Sequence, residues 1–300
     1  MEETNMLLPT FEFHEPLSLG EALELKKNFG TNARLLAGGT DLLVHLKKKL
    51  VTTDHLISLG RIKALGRITE EKNTIVIGAC ATMAQLSATP IIQKKFKALK
   101  AGCDNLGSHL IRNRATIGGN ACNASPAGDT LCALLVYDAI ALLESCDNKR
   151  EIPIADFFTG PGKSCIQPDE ILTGFRLPIP GDNSDAHYIQ LGKRKSSEIN
   201  VVNVAAFLGY DPGTGKVATC RIALGSVAAT PIRSLKAEST LIGQIPSEAS
   251  FFAAGEMARR EDCRPIDDFR GTAGYRQAMV GVLTKRTLTM AYDRARGASQ

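Results

Sequence analysis

The stretch Arg114–Asp129, RATIGGNACNASPAGD, decides how the rest of the chain is read. A short lead, Ala115-Thr116-Ile117, runs into the pair Gly118-Gly119 and then Asn120, after which small residues continue to Ser125, Pro126, Gly128 and Asp129. Two adjacent glycines after a β-branched pair predict a strand end where the backbone approaches something closely. Peptide N–H groups without a neighbouring Cβ can line a concavity and point at an anion. Thr116, Asn120, Ser125 and Asp129 add hydroxyl, amide and carboxylate groups within one segment, a mixture better suited to a phosphate-plus-sugar ligand than to a bare metal. Taken alone, the segment reads equally well as a polar turn between two strands.

A second glycine loop lies upstream, Leu35-Leu36-Ala37-Gly38-Gly39-Thr40-Asp41-Leu42. Again an apolar run enters a Gly-Gly pair, and a Thr and an Asp follow. Asp41 is placed to cap an amphipathic helix over Leu42–Leu50, which would set backbone donors beside a helix N-terminus. Neither loop matches the dinucleotide fingerprint G-x-G-x-x-G or a phosphate loop ending in Gly-Lys-Ser/Thr. A doubly wound nicotinamide domain and an NTPase are therefore disfavoured.

AGGTDL at Ala37–Leu42, paired with TIGGN at Thr116–Asn120 and the trailing Ser125-Pro126 and Asp129, resembles the FAD-binding (medium) subunit of molybdenum hydroxylases of the xanthine dehydrogenase and carbon monoxide dehydrogenase kind. The resemblance runs from about Phe11 to about Arg294. It implies an α+β chain: a PCMH/vanillyl-alcohol-oxidase-type FAD-binding domain of two α/β subdomains, then a C-terminal α+β domain with a small three-stranded antiparallel sheet and helices. The expected limits are 1–177 (subdomains about 1–58 and 59–177) and 178–300, with Pro178, Pro180 and Gly181 marking the boundary. It further implies FAD in this chain, and molybdopterin and two 2Fe–2S clusters in partner subunits. The expected assembly is a dimer of heterotrimers with a large molybdopterin subunit and a small iron–sulfur subunit, passing electrons from FAD to NAD or another acceptor. The residues it assigns to the cofactor are Leu35, Leu36, Ala37, Gly38, Gly39, Thr40, Asp41 and Leu42 in the first loop, and Thr116, Ile117, Gly118, Gly119, Asn120, Ser125 and Asp129 in the second. Leu106 and Leu172 are carried over as flavin contacts, and Lys193 and Ile199 from the segment Lys193–Asn200, KRKSSEIN, which lies against the ring in relatives. Many relatives have a lysine where this chain has Gln190, so the register of that segment is open. Leu172 reads equally well as a plain core leucine.

The totals are compatible. Three hundred residues with 44% hydrophobic and 22% charged residues suit one large or two ordinary soluble domains. A net charge of +5, with no basic stripe interleaved with aromatics, gives nucleic-acid binding little support. The acidic start Met1-Glu2-Glu3 is no secretory signal, and no apolar run reaches the ~18 residues of a membrane span, so a cytoplasmic location is expected. The eight cysteines, at 80, 103, 122, 132, 146, 165, 220 and 263, include no C-x-x-C pair, and neither a zinc nor an iron–sulfur site is expected here. Cys122, inside the second loop, is the exception to watch. The five histidines are scattered and read as structural or surface residues.

Along the chain, the sequence predicts a strand at Phe11-Glu12-Phe13, a Ser18-capped helix stopped by Gly30, a strand at Arg34–Ala37, and strands at His55–Leu59 and Thr74–Cys80, a βαββ arrangement. Thr82 opens a helix that Pro90 ends or bends, and Ile91–Leu106 reads as a further helix. Arg112 and Arg114 are candidates either for phosphate or for a partner surface. Three strands, His187–Leu191, Val201–Tyr210 and Val217–Ser226, then precede helices at Leu235–Leu241, Glu248–Arg260 and Gly274–Arg294. Two other readings share part of this evidence: a stand-alone FAD reductase of the UDP-N-acetylenolpyruvoylglucosamine reductase type, whose proton-donor serine and NADPH site find no counterpart here, and a flavin-less assembly subunit, which the intact pair of glycine loops disfavours.

Overall fold

Three short strands carry the first glycine loop. In the computed structural model, which describes residues 7–194 and 197–297, β1 (Glu12–His14) is followed by α1 (Leu19–Phe29), β2 (Ala33–Leu36), α2 (Leu42–Lys47) and β3 (His55–Ser58). The strands form a parallel sheet in the order β1-β3-β2. Ser18 starts α1 by accepting the Glu21 N–H, and Gly30, at φ 53°, ends it. The Glu21 carboxylate receives the Leu17 N–H at 2.8 Å, so the reciprocal cap is displaced by one residue. Parallel strands point their C-terminal ends to one edge, and β2 therefore delivers Ala37–Asp41 there.

A second sheet follows. Its strands are β4 (Ile68–Glu70), β5 (Thr74–Gly78), β6 (Ile140–Glu144), β7 (Lys149–Pro153) and, after a small hairpin of β8 (Phe158–Gly160) and β9 (Lys163–Ser164), β10 (Ile171–Pro178). They run antiparallel in the order β4-β5-β10-β6-β7. The strand at Thr74 thus does not extend the first sheet as the βαββ reading has it. The unforeseen β4 pairs with it and turns it into this second sheet. Between β5 and β6 the chain is helical: α3 (Met83–Ala88), α4 (Pro90–Lys95), α5 (Lys97–Asn105), α6 (His109–Arg112), α7 (Ile117–Asn123) and α8 (Leu131–Val136). The single helix expected over Ile91–Leu106 breaks at Phe96, where the backbone turns to φ −123°, ψ 49°. That turn drops the Phe96 ring into the core, edge-on to Tyr137 with centroids 5.0 Å apart. Pro90 begins α4 rather than merely ending α3.

The third sheet contains the three expected strands, β11 (Ser184–Leu191), β12 (Val202–Tyr210) and β13 (Val217–Gly225), and adds a two-residue fourth, β14 (Ile232–Arg233), all antiparallel. Helices α9 (Ile154–Phe157), α10 (Leu235–Ser239), α11 (Glu248–Met257) and α12 (Ala273–Gly297) complete the chain, with a π-helical turn at Ala258–Asp262 where α-helix is expected. Strand β12 is buried along almost its whole length because both faces are covered. Val204, Ala206 and Leu208 join the core beneath α11 and α12, whereas Ala205 and Phe207 join the large core that also holds Phe96, Tyr137 and Phe175. Strand β12 thus contributes to two cores, while the first sheet packs on a third, smaller one around Ala22, Ala33 and Ile57.

Candidate functional site

The two glycine loops meet. A Cβ on Gly38 would overlap the Arg114 carbonyl oxygen, lie 2.8 Å from that carbonyl carbon and 3.1 Å from the Ala115 Cα. The neighbours are backbone atoms that no rotamer change can clear, so only glycine fits. Gly39 follows at φ 76°. Among the described residues, the N–H groups of Gly38, Gly39, Thr40 and Asp41 donate to no other protein group, which leaves four consecutive donors at the sheet edge. Asp41 departs from expectation. It is itself helical (φ −103°, ψ −51°), and its side chain makes no capping bond, so its carboxylate leaves these donors open.

The second loop is helical rather than a strand end. Thr116 Oγ1 accepts the Gly119 N–H at 3.0 Å and its carbonyl accepts the Asn120 N–H at 2.9 Å, which starts α7 in place of the expected strand. The close approach is real: a Cβ on Gly118 would lie 2.6 Å from that of Ala79. The N–H groups of Ile117 and Gly118 donate to the carbonyls of Ala81 and Ala79 at 3.0 and 2.8 Å. Donors expected to face an anion here are thus already engaged, and the free ones belong to the first loop. Asn120 Oδ1 accepts from the Thr130 hydroxyl at 2.7 Å and its N–H at 3.4 Å, closing the segment on itself. Ser125 Oγ accepts the Ala127 N–H at 3.3 Å, beside Ala124 in the left-handed region at φ 47°. Asn120→Ala leaves the fully buried Thr130 without its acceptor. It is expected to cost about 1–3 kcal/mol in a urea unfolding curve.

Asp129 is fixed from the third sheet. Asn200 Nδ2 donates to Asp129 Oδ1 at 3.0 Å and to the Ala127 carbonyl at 3.1 Å, and Asn203 Nδ2 donates to the Gly128 carbonyl at 3.3 Å. Both amides also reach the buried Tyr188 hydroxyl, at 3.4 and 3.2 Å. Asn203 and Tyr188 are not among the expected site residues, and Asn200 enters the expectation only as the end of the Lys193–Asn200 segment, with no role of its own. The available signal was two amides flanking Val201-Val202 in an otherwise apolar run, because a buried amide requires partners. Asn200 Oδ1 accepts nothing among the described residues.

Burial pushes the Asp129 carboxyl up to about 6, against the opposing Asn200 bond. An acid raised on folding binds more protons in the folded state, so its stability contribution is present below the unfolded value near 3.8 and is lost as pH rises towards about 6. His187, lowered to about 4 by burial, gives the opposite slope in an overlapping window. The difference between wild type and Asp129→Asn isolates the first effect. Measured by urea unfolding of the flavin-free chain, the stability of wild type relative to this variant should fall between pH 4 and 7.

The other expected residues are distributed differently. Leu106 ends α5 with 9% exposure, and Leu172 lies in β10 with 4%, opposite Leu143 in the large core. Arg112 donates to the Leu106 and Gly107 carbonyls at 3.1 and 3.3 Å. It holds that turn, while Arg114 contributes the carbonyl that meets Gly38. Lys193 donates to the Phe269 carbonyl at 2.9 Å and is not bonded to either loop. Ile199 is 52% exposed, next to Asn200. Lys195 and Ser196 of the same segment, and the acidic start at Met1-Glu2-Glu3, lie outside the described residues. Cys122 is exposed as a residue, while desolvation by surrounding protein pushes its thiol up to about 12. All eight cysteines are free.

An α+β chain whose paired glycine loops interlock beside a second α+β unit has the architecture of an FAD-binding oxidoreductase subunit, and comparison with known proteins agrees. Residues 9–180 match the family described as the FAD binding domain in molybdopterin dehydrogenase, and residues 187–291 match the CO dehydrogenase flavoprotein C-terminal domain. The carbon monoxide dehydrogenase medium chain of Hydrogenophaga pseudoflava is 34% identical over 289 residues, covering 96% of this chain and 99% of that one. A putative xanthine dehydrogenase FAD-binding subunit of Escherichia coli K12 is 31% identical over 290 residues, covering 96% and 98%. A solved structure of the Hydrogenophaga carbon monoxide dehydrogenase superposes with a TM-score of 0.92 at 33% identity, covering 96% of this chain and 99% of that chain. The chain belongs to the FAD-binding subunits of the molybdenum hydroxylase family. Among the described residues, no helix is long and apolar enough to cross a membrane.

Proposed function

We propose that this chain is the FAD-carrying electron-transfer subunit of a cytoplasmic molybdenum-dependent hydroxylase or dehydrogenase of xanthine dehydrogenase-like type, with the substrate site on another chain. The observation that carries this reading is the lodging of Gly38 against the Arg114 carbonyl, which joins the two loops beside four backbone donors of the first loop that have no protein acceptor among the described residues. That donor set fits a pyrophosphate. Bound FAD supplies the redox chemistry, taking electrons from the 2Fe–2S clusters of a small subunit and delivering them to NAD or another acceptor.

The chain's own residues bind and orient. The N–H groups of Gly38, Gly39, Thr40 and Asp41, with the Thr40 and Thr116 hydroxyls, hold the pyrophosphate. Leu35, Leu36, Ala37, Leu42 and Ile117 give the loops apolar backing, while Gly118, Gly119, Asn120 and Ser125 set the shape of the second. Asp129, held by Asn200, accepts a hydroxyl of the cofactor's sugar chain rather than meeting phosphate, because like charges repel. Leu106, Leu172, Lys193 and Ile199 are assigned to the ring end. Residues 1–177 form the FAD-binding domain and residues 178–300 the second domain. The assembly is a dimer of heterotrimers with a large molybdopterin subunit and a small iron–sulfur subunit.

Addition of NADH to the FAD-loaded chain tests the link to the nicotinamide pool. Bleaching of the flavin band supports NAD as acceptor, and a band left oxidised points to a different one. Oxidation of a purine by the isolated chain would contradict the division of labour.

A further inference from the structure

A cluster on the first sheet unites residues that the sequence leaves scattered. Glu12 and His14 are two apart on β1 and so share a face. Glu12 lies opposite His55 in the parallel β1–β3 register, which brings the third side chain to that face. His14 Nε2 and His55 Nδ1 are 3.2 Å apart, Glu12 Oε2 is 3.2 Å from His55 Nδ1, and it is 3.8 Å from His14 Nε2. Phe29 stacks on the His55 ring at 3.7 Å, and Thr53 Oγ1 donates to the His55 carbonyl at 2.8 Å. Ring and backbone of that histidine are thereby fixed.

Hydrogen bonding alone serves this trio poorly. His55 Nδ1 carries either one hydrogen or one lone pair, yet it faces both another imidazole nitrogen and a carboxylate oxygen. A protonated Nδ1 must divide its hydrogen between them, and an unprotonated one opposes the carboxylate. A divalent cation satisfies all three lone pairs at once. Metal–ligand bonds of about 2.0–2.1 Å in tetrahedral geometry place ligand atoms about 3.3 Å apart, close to the spacing found. We propose that Glu12, His14 and His55 form a divalent transition-metal site, suited by its two imidazoles and one carboxylate to Zn²⁺, with the fourth position open to water. His14 and His55 are 41 residues apart, and a bound ion fastens the three-residue edge strand β1 to β3, the strand that also pairs with β2 beneath the first glycine loop. The site is independent of the flavin assignment, so either reading can fail without the other.

The test uses the full chain, stripped with a chelator and titrated with Zn²⁺ alone by calorimetry, then with Co²⁺ in difference spectroscopy. The expected result is one Zn²⁺ per chain and a Co²⁺ visible spectrum without a thiolate charge-transfer band. His14→Ala and His55→Ala should each weaken binding by more than the roughly 10–100-fold that follows from disturbing a group that only orients a ligand. Glu12→Gln, at an exposed side chain, should weaken it as well and guards against a histidine variant that fails to fold. Absence of Zn²⁺ uptake, a thiolate band, or affinity unchanged in Glu12→Gln and a folded histidine variant would each overturn the proposal.

Discussion

Gly38→Ala is expected to strip the chain of flavin. The added methyl would overlap the Arg114 carbonyl, and both sides of the contact are backbone, so the two loops must separate. Overpacking of this kind costs about 1–3 kcal/mol or more. A loss of that size taken from cofactor binding is about 5–150-fold in the FAD dissociation constant. Gly66→Ala provides the control, since a Cβ there meets nothing within 4 Å. Fluorescence titration of FAD into both variants decides the matter: equal affinities would show that the interlock of the loops does not shape the site.

Arg276→Met should produce the largest loss of stability. Arg276, 3% exposed on α12, donates to the Val201 carbonyl at 3.0 Å, to the Ser226 carbonyl at 2.8 Å and to Asp268 at 2.6 Å. Ser226 in turn donates its hydroxyl to the Asn200 carbonyl at 3.0 Å and its N–H to the Pro126 carbonyl at 2.8 Å. The guanidinium thus underpins the junction at which Asn200 holds Asp129. Methionine preserves much of the volume but leaves the Val201 and Ser226 carbonyls without this donor, while Asp268 keeps Arg270 and the Gly271 N–H; each buried acceptor left unsatisfied costs about 1–3 kcal/mol. Urea unfolding measures the loss, and the same variant should release FAD more readily than wild type. A midpoint within error of wild type would mean that the junction does not depend on this residue.

Local chemistry explains what the sequence discloses and what it conceals. Ser18 and Thr82 cap their helices as their spacing requires, and the hairpin at Asp211–Lys216 closes between its expected strands. The glycine pairs announce close approach, and Gly38 and Gly118 both show it. Non-local partners were the hidden part. Thr116-Ile117 has strand-like composition, but the Thr116 hydroxyl meeting the Gly119 N–H turns the segment into a helix. The break at Phe96 depends on Tyr137, 41 positions on, and the small edge strands β4 and β14 depend on their neighbours more than on their own three and two residues. Of the site, both loops were legible. The roles of Asn200, Asn203 and Tyr188 were not, since they exist only once the third sheet lies against the second loop. The Glu12–His14–His55 cluster was concealed for the same reason: a parallel register, not a spacing, assembles it.

The central claim is best tested by measuring flavin in the purified chain, with the visible spectrum recorded before and after acid release. The account predicts FAD at close to one per chain, either as isolated or after incubation with excess FAD. A chain that takes up no flavin even in excess FAD would contradict it and favour an assembly subunit that keeps the fold without the cofactor.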